Sequence, residues 1–133
     1  GRVVIWNPGY YSKSSEAVSS FQPVTSSSSG GITALSHNAE IQTIAVGYKN
    51  GLILLVNNTS PHQSIAQLNS HTSDIHCLKF QPNYMRIKGF PLILLSSSRD
   101  KKICLWNTTT WKSAGVLTSS GFFLAFMILG SEA

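Results

Sequence analysis

Three apolar runs recur at one spacing along this chain: Val3 to Trp6, Leu52 to Val56 and Ile103 to Trp106. Aligning Trp6, Val56 and Trp106 gives 56 − 6 = 50 and 106 − 56 = 50 positions, and Asn7 falls on Asn107. None of these runs alternates cleanly, so each reads as a strand covered on both faces rather than one with a solvated side. The chain is therefore constrained to repeated β units, each sandwiched between neighbours.

The turn signals mark out two such units. The first has strands at Ile32 to Leu35, Thr43 to Gly47, Leu52 to Val56 and Ser64 to Leu68, with Asn50-Gly51 as a hairpin turn. That dipeptide is suited to the two positive φ angles of a type I′ turn. The second unit has strands at Asp74 to Phe80, Leu92 to Ser97, Lys102 to Trp106 and Ser113 to Leu117. The first-to-second strand connections differ in length, with an insertion at Pro82 to Pro91, so the array is divergent and the even spacing reflects two compensating insertions. Gly1 to Asn7 reads as the third strand of a further unit whose first two strands are missing. Pro8 to Gly31 is rich in Ser, Gly and Pro, with a short outer strand near Ala17 to Phe21. Charged residues make up 11% of the chain, which favours turn-rich β structure over surface helices.

The stretch from Ser70-His71 through Ser-Ser-Ser-Arg-Asp at 96–100 to Trp106-Asn107 resembles a WD40 repeat, with both dipeptide signatures altered from Gly-His and Trp-Asp. The resemblance implies an all-β fold of about two and a half propeller blades in an unclosed segment. It divides the chain into a partial blade and Ser-rich loop at 1–31, a divergent blade at 32–69, the best-preserved blade at 70–117, and an apolar tail at 118–133. It also implies a structural hydrogen-bonded tetrad of His71, Ser98, Asp100 and Trp106, in which the indole N–H and the buried carboxylate each find partners. In the middle unit Ser28, Tyr48, Asn50 and Val56 stand at the matching positions, so that set is lost together. By the same resemblance the chain is a non-enzymatic scaffold for protein–protein interaction, a fragment or truncated form whose open edges are covered by a parent propeller or by self-association.

Other chemistries find little support. Ser98, His71 and Asp100 could be read as a catalytic triad, but neither a nucleophile elbow nor an oxyanion-hole motif accompanies them. His37, His62 and His76 have no partners at zinc-ligand spacing, Gly30-Gly31 lacks the rest of a phosphate loop, and no cofactor is expected. Asn57, Asn58 and Asn107 match the glycosylation pattern yet read as turn residues after third strands. Cys77 and Cys104 sit within strands as buried thiols.

Net charge is +5 from ten Lys or Arg against five acids, which permits an anionic partner. Arg99, Lys101 and Lys102 cluster at one hairpin, while Arg86 and Lys88 lie in the insertion, at the other end of a blade. With Trp111, which either packs on the outer strand or protrudes as an anchor, the hairpin cations are candidate partner-binding residues. The alternative to protein binding is nucleic-acid binding, of RNA above all, by these basic loops. Phe122 to Leu129 reads either as a strand for burial against a neighbour or as a tail unrelated to the repeat. Its eight apolar residues are too few for a bilayer-spanning helix, which needs about 20. In the absence of a leader pattern, an intracellular location, cytoplasmic or nuclear, is the expectation.

Overall fold

The structure is a computed structural model that describes residues 2–7, 16–21, 30–59 and 62–118. The readings made for the Ser-rich loop at 22–29 and for Phe122 to Leu129 lie outside those residues. The described chain forms three antiparallel sheets. Strands β1 (Val3–Asn7) and β2 (Glu16–Phe21) make a two-stranded sheet. A middle sheet has the order β3 (Ile32–Asn38), β4 (Thr43–Tyr48), β5 (Ile53–Asn57), β6 (Ser64–Leu68). The last sheet repeats it as β7 (Ile75–Phe80), β8 (Ile93–Ser98), β9 (Ile103–Asn107), β10 (Lys112–Leu117). Each four-stranded unit is thus a meander, as in a propeller blade, and the sheets do not close into a ring.

The shift of 50 residues holds at the level of register. Ala45 lies opposite Leu55 and Gly47 opposite Ile53, as Leu95 lies opposite Leu105 and Ser97 opposite Ile103. β3 runs on past Leu35 because Ser36, His37 and Asn38 continue the ladder against Ala45, Ile44 and Thr43.

The middle sheet is covered on both faces, which is why β4 and most of β5 show no alternation in burial. One face carries Ile44, Val46, Tyr48, Leu54 and Val56 against Val3 of β1. The other carries Ala45, Ile53 and Leu55 against Ile75, Leu78, Leu94 and Trp106 of the last sheet. Burying a side chain of this size contributes about 1.5–3 kcal/mol, so the two interfaces are the main source of cohesion. β7 approaches β4 so closely that a Cβ on Gly47 would lie 2.6 Å from Cγ2 of Ile75. The Thr33 hydroxyl crosses the same interface to the Ile75 carbonyl at 2.7 Å.

The hairpins depart from the type I′ expectation. In the β4–β5 turn the Gly51 N–H donates to the Tyr48 carbonyl at 3.1 Å, and Gly51 alone takes a positive φ, of 95°. Asn50 instead uses its side-chain oxygen to accept from the Leu52 N–H at 3.0 Å. The β8–β9 turn is the same device, with Lys101 N–H donating to Ser98 carbonyl at 3.2 Å and Lys101 at φ 68° in the glycine's place. A type I turn closed by one left-handed residue matches strand twist as a three-residue loop.

The two turns predict opposite outcomes. Gly51→Ala combines a disfavoured φ with a Cβ only 2.5 Å from the His71 carbonyl oxygen, and should cost at least about 2 kcal/mol. Lys101→Gly removes left-handed strain and should stabilise by up to about 1 kcal/mol. Urea denaturation of the two variants beside the parent chain checks both signs.

Candidate functional site

The most densely connected polar cluster of the described residues lies where the loop before β7 meets β8, the β8–β9 hairpin and β9. His71 ends the chain's passage from β6 and is buried, and Asp100 sits at the tip of the hairpin with its side chain 5% exposed. The imidazole Nδ1 contacts the two carboxylate oxygens at 3.2 and 3.0 Å. Asp100 also accepts the Thr72 N–H at 3.1 Å and the Lys102 N–H at 3.0 Å, so its lone pairs are well used. On the far side of the ring, Nε2 meets the Ser96 hydroxyl at 2.8 Å, and the Trp106 indole N–H donates to that same hydroxyl at 2.9 Å.

Donor and acceptor roles follow from chemistry. An indole N–H can only donate and an ionised carboxylate can only accept, so Ser96 Oγ accepts from Trp106, His71 Nδ1 donates to Asp100, and Nε2 of the neutral ring accepts from the Ser96 hydroxyl. The neutral ring then carries its hydrogen on Nδ1, aimed at Asp100. Burial works to lower the His71 pKa, but the adjoining Cys104 thiol and the Asp100 carboxylate prevail and hold it above its ordinary 6.5. Burial works to raise Asp100, and the Thr72 N–H, the His71 ring and the Lys102 N–H together pull it below its ordinary 3.8.

The structure brings His71, Asp100 and Trp106 together through Ser96, not Ser98. The Ser98 hydroxyl donates instead to the Ser73 carbonyl at 2.9 Å and accepts the Asp100 N–H at 3.2 Å, so it braces the hairpin beside the network. The reason is register. Leu94 lies opposite Trp106 and Ser96 opposite Cys104, which places Ser96 one same-face step along the sheet from the indole. Such diagonal neighbours are within reach of an aromatic side chain; Ser98 lies a further step away.

Ser96, His71 and Asp100 share the hydrogen-bond order of a hydrolytic triad. Ser96 is fully buried and its oxygen already accepts the Trp106 indole N–H. The arrangement can hold strands together, and it offers no open face for a reaction.

The candidate binding residues separate into two groups. Arg99, Lys101 and Lys102 are exposed at the hairpin, whose Arg99 N–H is tied to the Asp74 carbonyl at 3.0 Å. Trp111 lies at the opposite end of the sheet, in the β9–β10 turn, half-buried against the core between the middle and last sheets. Thr108 in that turn bonds the Leu92 carbonyl at the end of the insertion. Trp111 therefore packs and does not join the hairpin cations in one surface.

The Asn motifs are turn formers: Asn57 Oδ1 accepts the Thr59 N–H at 3.0 Å and Asn107 Oδ1 the Thr109 N–H at 2.8 Å. Cys77 and Cys104 are free thiols, and burial raises the Cys77 pKa. Among the described residues no cluster of three or more His, Cys, Asp or Glu could hold a metal, and no helix is long and apolar enough to cross a membrane.

One feature escaped sequence reasoning. The connection from β7 to β8 projects Tyr84, Ile87 and Phe90, which are 69%, 62% and 66% exposed. An insertion has no strand period to mark which side chains face water, so composition alone could not single them out.

Comparison with known proteins finds a family likeness over the segment that holds the network. Residues 62–107 match the family model of the WD domain, G-beta repeat. That segment, about a third of the chain, matches a WD40 repeat and runs from the outer strand of the middle sheet, β6, through β7, β8 and β9 of the last sheet. No curated protein matches the chain.

The network predicts a graded mutational response. Ser96→Ala strands the indole N–H and His71 Nε2 and should cost about 2–3 kcal/mol, whereas Ser98→Ala should cost about 1 kcal/mol. Asp100→Ala leaves a buried imidazole without its counter-charge and should cost about 3–5 kcal/mol. Because the folded His71 pKa is raised, its contribution is complete below the ordinary 6.5 and is lost as pH rises through the folded value. Because the folded Asp100 pKa is lowered, its contribution is present above 3.8 and is lost as pH falls through the folded value. Stability should therefore peak between those two ordinary values, and His71→Gln should flatten its alkaline side. Urea midpoints measured across pH test both limbs.

Proposed function

We propose that this chain is a non-enzymatic interaction scaffold, a segment of a larger propeller, that binds protein through the insertion between β7 and β8. The observation that carries the reading is the display of Tyr84, Ile87 and Phe90 on one short connection. A single exposed apolar side chain is ordinary, but two aromatics and an isoleucine grouped on one loop have the composition of an interface anchor. The loop is held in shape. Gln81 Nε2 donates to the Met85 carbonyl at 2.7 Å, Gln81 Oε1 accepts the Ile93 N–H at 3.3 Å, and Phe90 N–H donates to the Ile87 carbonyl at 3.0 Å. Arg86 reaches Glu40 in the middle sheet's β3–β4 turn at 2.7 Å. Ordering the loop in advance lowers the entropic cost of binding. WD40 repeats are generally non-catalytic, in keeping with the sealed Ser96.

Two four-stranded sheets and one two-stranded sheet fall short of a propeller ring, which takes about four to eight blades. That supports the reading of a segment completed by a parent chain or by self-association. A second reading, nucleic-acid binding, is favoured by the three exposed cations Arg99, Lys101 and Lys102 on one hairpin and by the net charge of +5.

The two readings separate in one comparison. The immobilised chain should retain a defined set of proteins that is lost on Phe90→Ser with Ile87→Ser and kept on Lys101→Glu with Lys102→Glu. Fluorescence anisotropy with single-stranded RNA should show no binding even at low salt. RNA binding that weakens steeply with salt and vanishes in the hairpin variant would replace the scaffold reading with the second one.

A further inference from the structure

We infer that the polar cleft between β3 and β7 receives an acidic side chain of the protein that the neighbouring insertion binds, an assignment that rests on the scaffold reading of that insertion. The partner's docking segment is then apolar with a carboxylate close by. β3 and β7 are edge strands of the two four-stranded sheets and lie side by side. Near their starts the Thr33 hydroxyl ties them together at the Ile75 carbonyl. Near their ends, at Ser36 and Lys79, they enclose a recess of about 250 Å³. Its walls come from sheets that are neighbours in the chain, and Pro82 and Asn83 at the start of the insertion also line it.

The recess is furnished with donors. No acid lines it among the described residues, and Lys79 brings a positive charge. Asn38 Oδ1 already accepts the Ile41 N–H at 3.2 Å, which leaves its amide nitrogen to donate. The Asn58 amide donates to His37 Nε2 at 2.9 Å, so the neutral ring carries its hydrogen on Nδ1 as a further donor. Ser36 and Asn83 add a hydroxyl and an amide. Gln81 is committed to the Met85 carbonyl and the Ile93 N–H and does not compete. A cation and several donors that converge without a carboxylate suit a group that only accepts, and an ionised carboxylate is such a group.

The surroundings extend the match. Glu40, two residues past Asn38, is held by Arg86 Nη1 at 2.7 Å, and the buried Arg86 Nε has no hydrogen-bond partner among the described residues. Lys79, Arg86 and Lys88 against Glu40 give a local net charge of 3 − 1 = +2. Asn83 is followed directly by the exposed Tyr84, with Ile87 and Phe90 beyond it. A segment with an Asp or Glu next to aromatic or aliphatic side chains complements both the recess and the loop. A recess between strands admits one projecting side chain, whereas a lipid surface would rest on Tyr84, Ile87 and Phe90 and leave it unfilled.

The test is selection from a random peptide library on the immobilised full chain, with affinities of the recovered peptides read by fluorescence anisotropy. Recovered peptides should carry Asp or Glu beside Leu, Phe or Ile. Replacing that acid by its amide should weaken binding about tenfold or more, as should Lys79→Gln and Asn38→Asp, while Lys101→Glu with Lys102→Glu should leave it unchanged. Asn38→Asp keeps the oxygen that accepts the Ile41 N–H, so an unchanged melting temperature separates lost binding from lost folding. Peptides without an acid, or acidic peptides indifferent to Lys79→Gln and Asn38→Asp, would overturn the assignment; the insertion reading would still stand if Phe90→Ser with Ile87→Ser abolished their binding. Acidic peptides that respond to the cleft variants and not to the insertion variants would uphold the recess as a carboxylate site and sink the insertion reading instead. Recruitment to anionic phosphatidylserine vesicles, lost on Phe90→Ser with Ile87→Ser, would give the surface to lipid and overturn both.

Discussion

Ser96 is the atom-scale junction on which the last blade depends. One hydroxyl, fully buried, joins the indole of β9 to the imidazole of the entry loop, and through that ring to the carboxylate at the hairpin tip. The entry loop is thereby fixed to β8, to the β8–β9 hairpin and to β9. The arrangement is costly if any member is removed, because each of the others is left buried with an unmet bond.

The middle blade shows that the same frame has a second solution. Val46 and Val56 stand where the last blade has Ser96 and Trp106, and both are buried against Val3 and its neighbours. Asn50 keeps the local half of the role of Asp100, accepting the N–H two residues on, but has no histidine to meet. A polar network and an apolar pair are interchangeable here as sets. Mixing them, with a serine but no tryptophan or a carboxylate but no imidazole, would bury unsatisfied groups. This accounts for the joint loss of the set.

The strand plan was legible because it rests on local signals: apolar runs of strand length, turn residues between them, and a shared 50-residue shift. What was not legible depended on partners distant in sequence. Three consecutive serines at 96–98 cannot be told apart until register puts Ser96 diagonal to the indole and sends Ser98 to the Ser73 carbonyl. Asn50-Gly51 suggests a two-residue turn, yet Gly51 approaches the His71 carbonyl and the loop takes three residues. Leu35 is exposed, though it occupies the place of a buried leucine, because burial belongs to the neighbouring sheet rather than to the residue. Trp111, which sequence left undecided, is drawn in by the core at its end of the blade.

The network lies inside the last blade, whereas the hairpin cations and the apolar side chains of the β7–β8 connection lie on its surface. The protonation pattern of His71 is central: the Asp100 carboxylate can only accept, so in the neutral ring the hydrogen sits on Nδ1 and Nε2 is left to accept from Ser96. Nitrogen-15 NMR of the imidazole at alkaline pH, where the ring is neutral, measures this. The account predicts a proton on Nδ1 and a bare Nε2, with the bare nitrogen's signal perturbed by Ser96→Ala and not by Ser98→Ala. A proton on Nε2 of the neutral ring, or a response to Ser98→Ala instead, would contradict it.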